Sequence, residues 1–182
     1  KAAFMQAHNF SAIVSLDGPK HLHDSHRVGK DNSGSFDAVM NGIKTLNAAG
    51  LNRITFRSTY LPDEIELVAR AEFLNGLCDR GMGNWVDIEP AMLSEGKCAP
   101  TITDQMVFTK DQVKDLEEEY LAVSDWMANR YKNGKPARVH CLHKMVERLL
   151  WKQRAVVECG AGNAYMSVSP SGELFACHRE MN

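Results

Sequence analysis

Long apolar runs are missing from this 182-residue sequence. Its longest uninterrupted stretches are a few residues, against the roughly 20 needed to cross a bilayer, so no membrane partner is expected. No charged, apolar and cleavage-site pattern opens the chain, so no signal peptide is visible. Charge of one sign is also scarce. Lys and Arg number 21 and Asp and Glu 23, a net charge of −2, which gives no broad basic surface for nucleic acid. The cysteines are few and odd in number, at 78, 98, 141, 159 and 177. A small secreted disulfide scaffold would carry an even count at higher density. A reducing, cytoplasmic compartment fits better, with cysteines buried as small apolar residues or used as metal ligands.

What is present is ordinary for a globular protein: 44 % hydrophobic and 24 % charged residues, enough for one domain or one domain plus part of another. The first residue is Lys1 rather than Met, and the last, Asn182, follows soon after Cys177-His178. Both ends read as cut from a longer protein.

Ser11 to Leu16 is a short, β-branched and apolar run stopped by Asp17-Gly18-Pro19, the pattern of a buried strand ending in a loop. A long polar loop follows to about Gly34, with His21, His23, Asp24, His26, Arg27 and Lys30; such loops are functional or disordered. Ser35 is a candidate N-cap for a helix carrying Phe36, Val39, Met40, Ile43 and Leu46, closed by Gly50. Asn52 to Thr59 reads as a second strand, Pro62 as the first position of a second helix ending near Gly81, and Asn84 to Ile88 as a third strand. This β-α-β-α-β order predicts a parallel sheet with its ligand at the C-terminal strand ends. The residues there are Ser15, Asp17, Arg57 to Thr59, Ile88 and Glu89. Residues 91–108 are irregular. Lys110 to Asn133 forms a long helix whose Glu117-Glu118-Glu119 run reads as a solvated face, and a shorter helix carries Leu142, Met145, Val146 and Leu149.

The C-terminal stretch changes character. Ala164 to Val168 and Glu173 to Ala176 read as two strands around the turn Pro170-Ser171-Gly172, with Cys159 before them and Cys177 after. Antiparallel pairing would bring the two sulfurs together. They could ligate a soft metal or an iron–sulfur cluster with further ligands from elsewhere, form a disulfide, or be buried apolar groups. His140, Cys141 and His143 do not make a site by pattern, because side chains two apart on a helix point away from each other. Cys141 lies far upstream of Cys159, and Cys78 and Cys98 read as buried or incidental.

The segment from Cys159-Gly160-Ala161-Gly162 to Cys177-His178, with twelve residues between Cys159 and Gly172 and four between Gly172 and Cys177, resembles the opening of a SPASM domain. That is the auxiliary iron–sulfur module of many radical S-adenosylmethionine (SAM) enzymes. Independently, Ser15-Leu16-Asp17-Gly18-Pro19, His23-Asp24, Arg27 and Gly34-Ser35-Phe36 resemble the middle of the catalytic barrel in the same enzymes. The resemblance implies an α/β fold, a partial (β/α) barrel of the radical SAM type followed by the start of a SPASM β-hairpin. The implied divisions are residues 1–108 as the C-terminal part of the barrel, 109–156 as connecting helices and 157–182 as the beginning of the SPASM domain.

The resemblance also implies roles. Ser15 contacts S-adenosylmethionine, Arg27 holds its carboxylate through a planar fork of donors, and Ile88 lines its adenine. Asp17 has the alternative role of fixing the loop through backbone amides. Cys159 and Cys177 are two ligands of an auxiliary 4Fe–4S cluster. The CxxxCxxC loop for the SAM-cleaving cluster is not in this sequence, so the chain reads as an internal fragment, inactive in radical chemistry by itself. His178 follows Cys177 where sulfatase-maturing members carry an Asp base. That makes His178 the candidate catalytic residue and favours a maturase that crosslinks a peptide or protein by a thioether, via a 5′-deoxyadenosyl radical and an external electron donor. The alternatives are an anaerobic sulfatase-maturing, formylglycine-forming enzyme and, from another class, a non-catalytic metal- or peptide-binding module.

Overall fold

The computed structural model describes residues 1–91, 107–152, 160–162 and 166–177. Its elements are α1 (Ala2–Ala7), β1 (Ala12–Ser15), α2 (Lys20–Asp24), α3 (Phe36–Ala48), β2 (Ile54–Tyr60), α4 (Leu67–Asp79), β3 (Trp85–Pro90), α5 (Lys110–Lys132), α6 (His140–Trp151), β4 (Ser167–Val168) and β5 (Leu174–Phe175). The first three strands form one parallel sheet in the order β1-β2-β3, with Ser15 opposite Arg57 and Arg57 opposite Asp87. The expected β/α alternation is therefore present.

Side chains alternate across this sheet. On β2, Ile54, Phe56, Ser58 and Tyr60 are buried while Thr55, Arg57 and Thr59 are half-buried. The buried set joins Leu16, Val86 and Ile88 in one core with Ile43 of α3, Leu67, Ala71, Leu74 and Leu77 of α4, and Val123 and Met127 of α5. The opposite face, which carries Ile13, Thr55 and Trp85 and then Ser15, Arg57 and Asp87, is open, with Ile13 63 % exposed and Trp85 39 %.

Four local expectations change. The second helix starts at Leu67 rather than Pro62, because a tight turn intervenes: Glu64 N–H donates to Leu61 O at 3.1 Å, and Glu66 is left-handed with φ 35°. Ser35 holds the N-cap position of α3 without capping it; Asp24 Oδ1 accepts the Phe36 N–H at 2.8 Å instead. Glu119 leaves the solvated run to accept the Leu67 N–H at 2.8 Å, supplying a cap that α4 lacks locally. Finally, residues 109–156 are more than connecting helices. After α5 the chain returns to the sheet, where Val139 bridges Val86 in parallel and Val86 N–H donates to Arg138 O at 2.9 Å. Helix α5 is thus followed by a segment that meets β3 through the single bridge at Val139.

The hairpin is present but short. Ser167 pairs with Phe175 and Val168 with Leu174, around a turn with Gly172 at φ +89°. No helix among the described residues is long and apolar enough to cross a membrane.

Candidate cofactor site

The ends of β1 and β2 are tied together through Asp17. Its main-chain oxygen accepts from Ser58 Oγ at 2.8 Å and from Arg70 Nη1 at 2.7 Å. Its carboxylate Oδ1 accepts the Thr59 N–H at 2.8 Å. Arg27 forks onto the same carboxylate, Nε to Oδ2 at 2.5 Å and Nη2 to Oδ1 at 3.2 Å. Asp17 does bond a backbone amide, but that amide belongs to β2, so the bond locks strand to strand. Gly18 turns the chain at φ +142°, and a Cβ there would lie 3.3 Å from Arg70 Cγ.

The polar segment after Asp17 is an ordered unit. Asp17 N–H donates to Nδ1 of the fully buried His23 at 3.2 Å, which leaves the ring proton on Nε2, facing Ser35 Oγ at 3.0 Å. Ser35 Oγ donates onward to Arg27 O at 2.8 Å. Burial lowers the His23 pKa, against the opposing pull of the Asp17 charge. Gly34 is required by close approach, since a Cβ there would collide with the Asp24 carboxyl that caps α3. The His-Asp, Arg and Gly-Ser-Phe residues are therefore wired to one another.

Arg70 is the functional-site residue that sequence reading missed. It is fully buried, donating from Nε to Ile65 O at 2.8 Å, from Nη1 to Asp17 O and from Nη2 to Glu64 O at 2.7 Å. Burial pulls its pKa down, while Asp17 and Glu64 pull it up. The available signal was a cation within the apolar stripe Leu67, Arg70, Ala71, Leu74, Leu77 and Cys78.

On the open face a polar row crosses the sheet at the level of Ser15. Ser15 pairs with Arg57, Arg57 Nη2 lies 3.7 Å from Asp87 Oδ2, and Asp87 Oδ1 lies 3.0 Å from His140 Nδ1. Ser15 is exposed and its hydroxyl has no hydrogen bond among the described residues. Arg57 Nε is buried without a hydrogen-bond partner among the described residues. Ile88 is elsewhere. It lies one residue beyond Asp87 on β3, so its side chain is on the helix-covered face, 4 % exposed in the core. Its expected adenine contact does not fit this placement, because neighbouring side chains on a strand face opposite sides. Trp85 instead flanks His140 and His143, at 5.5 and 5.6 Å between ring centroids.

Cys177 is half-buried at the end of the hairpin. The Gly162 N–H donates to Ala176 O at 3.1 Å, which lays residues 160–162 beside the segment that ends in Cys177. Cys159, His178 and Cys98 lie outside the described residues. Among the described residues no group of three or more His, Cys, Asp or Glu side chains could hold a metal ion. A thiol at Cys177 suits iron in kind, whereas a complete ligand set needs sulfurs beyond it. For S-adenosylmethionine the fit is closer, with the exposed Ser15 hydroxyl at the end of β1 and the part-exposed Arg27 guanidinium held by Asp17 just beyond it.

No family model matches the chain. A cysteine-type anaerobic sulfatase-maturating enzyme of Clostridium novyi (strain NT) is 44 % identical over 46 residues, 25 % of this chain and 12 % of that protein. Native anSMEcpe solved with bound AdoMet matches all of this chain and 48 % of its own, with a TM-score of 0.74 at 14 % identity. Its form with bound AdoMet and the Kp18Cys peptide gives a TM-score of 0.71 at 13 % identity. The fold is that of about half of native anSMEcpe. The chain spans about half the length of these solved relatives and a smaller share of the curated one. The likeness to radical SAM/SPASM maturases noted in the sequence extends, as fold, from β1 to the hairpin.

Proposed function

We propose that this chain is part of a radical SAM enzyme that modifies a peptide or protein. The reading is supported by Ser15 at the end of β1 and by the Asp17–Arg27 fork that starts two residues further along, on a fold shared with AdoMet-bound anSMEcpe. When bound, S-adenosylmethionine supplies a 5′-deoxyadenosyl radical that abstracts a substrate hydrogen. Ser15 and Arg27 orient the cofactor, and Asp17 and Arg70 fix the strand ends. Cys159 and Cys177 hold an auxiliary 4Fe–4S cluster together with ligands outside the chain, and electrons come from an external donor. Residues 1–108 belong to the barrel, and the SPASM domain begins at 157.

Two products are open to such an enzyme. Cys177-His178 supports a thioether crosslink with His178 as the substrate base. The sulfatase-maturating name carried by the curated relative supports formylglycine. Incubating the full-length protein anaerobically with candidate peptides separates them. A product lighter by two hydrogens with a blocked thiol is a thioether, and an aldehyde is formylglycine. Iron and sulfide analysis of the reconstituted protein tests the cluster ligands. Iron content unchanged by Cys159→Ala with Cys177→Ala removes the cluster assignment, and a wild-type chain that binds peptide but no S-adenosylmethionine makes it a non-catalytic binding module.

A further inference from the structure

Arg27 presents two edges. The side-on edge, Nε and Nη2, is taken by Asp17 at 2.5 and 3.2 Å. Nη1 has no partner among the described residues, and the side chain is about one-third exposed. A guanidinium held side-on by one carboxylate keeps its outer edge for a second. Asp17 is suited to do the holding. Its carboxylate is almost fully buried, it also accepts the Thr59 N–H, and its own backbone is fixed by His23, Ser58 and Arg70. Arg27, by contrast, is a long side chain on an irregular segment, and fixing it beforehand saves the ordering cost that ligand binding would otherwise carry.

We propose that Asp17 is a positioning residue: it fixes the Arg27 guanidinium side-on and so presents the outer edge to the carboxylate of an α-amino-acid-bearing ligand at the strand ends. This rests on the reading that Arg27 receives the carboxylate of S-adenosylmethionine. It adds that recognition depends on an aspartate that does not itself touch the ligand, and that its effect is selective for the carboxylate.

The test is isothermal titration of the full-length protein with S-adenosylmethionine and with its decarboxylated analogue. The wild type should prefer the carboxylate-bearing ligand by about tenfold or more, the worth of one charge-assisted fork. Asp17→Asn keeps an oxygen for the Thr59 N–H but sets an amide donor against Arg27 Nε. It should weaken S-adenosylmethionine roughly tenfold while leaving the analogue unchanged. Arg27→Gln should abolish the preference, and Asp17→Asn should add nothing to it.

Equal losses for both ligands in Asp17→Asn would mean that Asp17 only supports the fold, and the inference falls. A preference that survives Asp17→Asn but vanishes in Arg27→Gln overturns the positioning role and leaves the Arg27 reading standing. A wild type that binds neither ligand, or both alike, overturns the two together. Should Asp17→Asn not fold, Arg27→Lys serves instead, since it keeps the charge without the fork. Retention of the full preference by Arg27→Lys overturns the inference.

Discussion

Arg70 Nη1 donates to the main-chain oxygen of Asp17 at 2.7 Å, joining the second residue past the end of β1 to a helical residue 53 positions further along. The same guanidinium satisfies the carbonyls of Glu64 and Ile65, so one buried cation closes both the β1 turn and the β2–α4 turn. Arg70→Met removes these donors from the Glu64 and Ile65 carbonyls and leaves the Asp17 carbonyl with Ser58 Oγ alone. A loss of about 3 kcal/mol or more is expected, read as a lower urea midpoint with an unchanged slope. A loss below about 1 kcal/mol would mean that water replaces the guanidinium and that Arg70 is not the anchor.

Gly34 and Asp24 form a second unit. A methyl at position 34 would collide with the Asp24 carboxyl and push it off the Phe36 N–H. Gly34→Ala should cost about 1–2 kcal/mol through strain and the lost cap. Once Asp24→Ala has removed the carboxyl, the same change should cost much less. Thermal unfolding of the two single variants and the double checks this, and strict additivity would contradict the proposed contact.

His23 makes stability depend on pH. Burial holds its folded-state pKa below the ordinary value, while Asp17 and Asp24 pull it up and Arg27 pulls it down. The unfolded chain, with an imidazole near pKa 6.5, therefore binds more protons than the folded one between the two values. Its stabilising contribution is fully present above about pH 6.5 and is lost as pH falls toward the folded value, at up to about 1.4 kcal/mol per pH unit. His23→Asn should flatten this limb in urea titrations between pH 7.5 and 5.

Thiol reactivity should follow burial. Burial pushes the Cys78 thiol up to about 11, with Arg138 pulling it down. Burial likewise raises Cys141, whose Sγ lies 3.7 Å from Ile88 O. Both should resist alkylation in the folded chain at pH 8, where the thiolate is the reactive form, and react promptly in urea. Mass mapping of labelled peptides gives the order directly.

The β/α order, the strand ends near Ser15 and Asp17, and the long amphipathic α5 were legible because hydrophobic period and turn residues are local signals. The start of α4 was not, because its cap comes from Glu119, 52 residues away. The face taken by Ile88 needed the sheet register as well as the strand, and the resemblance supplied a role without an orientation. For Arg27 the sequence offered a cation of the right kind; its partner Asp17 became visible only when the chain folded.

By itself the sequence determined the strands β1 to β3 and the helices α3, α5 and α6, that the sheet is parallel, and which polar residues lie near its C-terminal end, since these follow from spacing, chirality and turn chemistry; α1, α2 and the start of α4 were not legible. Tertiary structure alone decided that Arg70 is the buried anchor, that Asp17 faces Arg27, and that Val139 bridges β3. Those are contacts between distant segments, fixed by packing and by the need to pair every buried polar group.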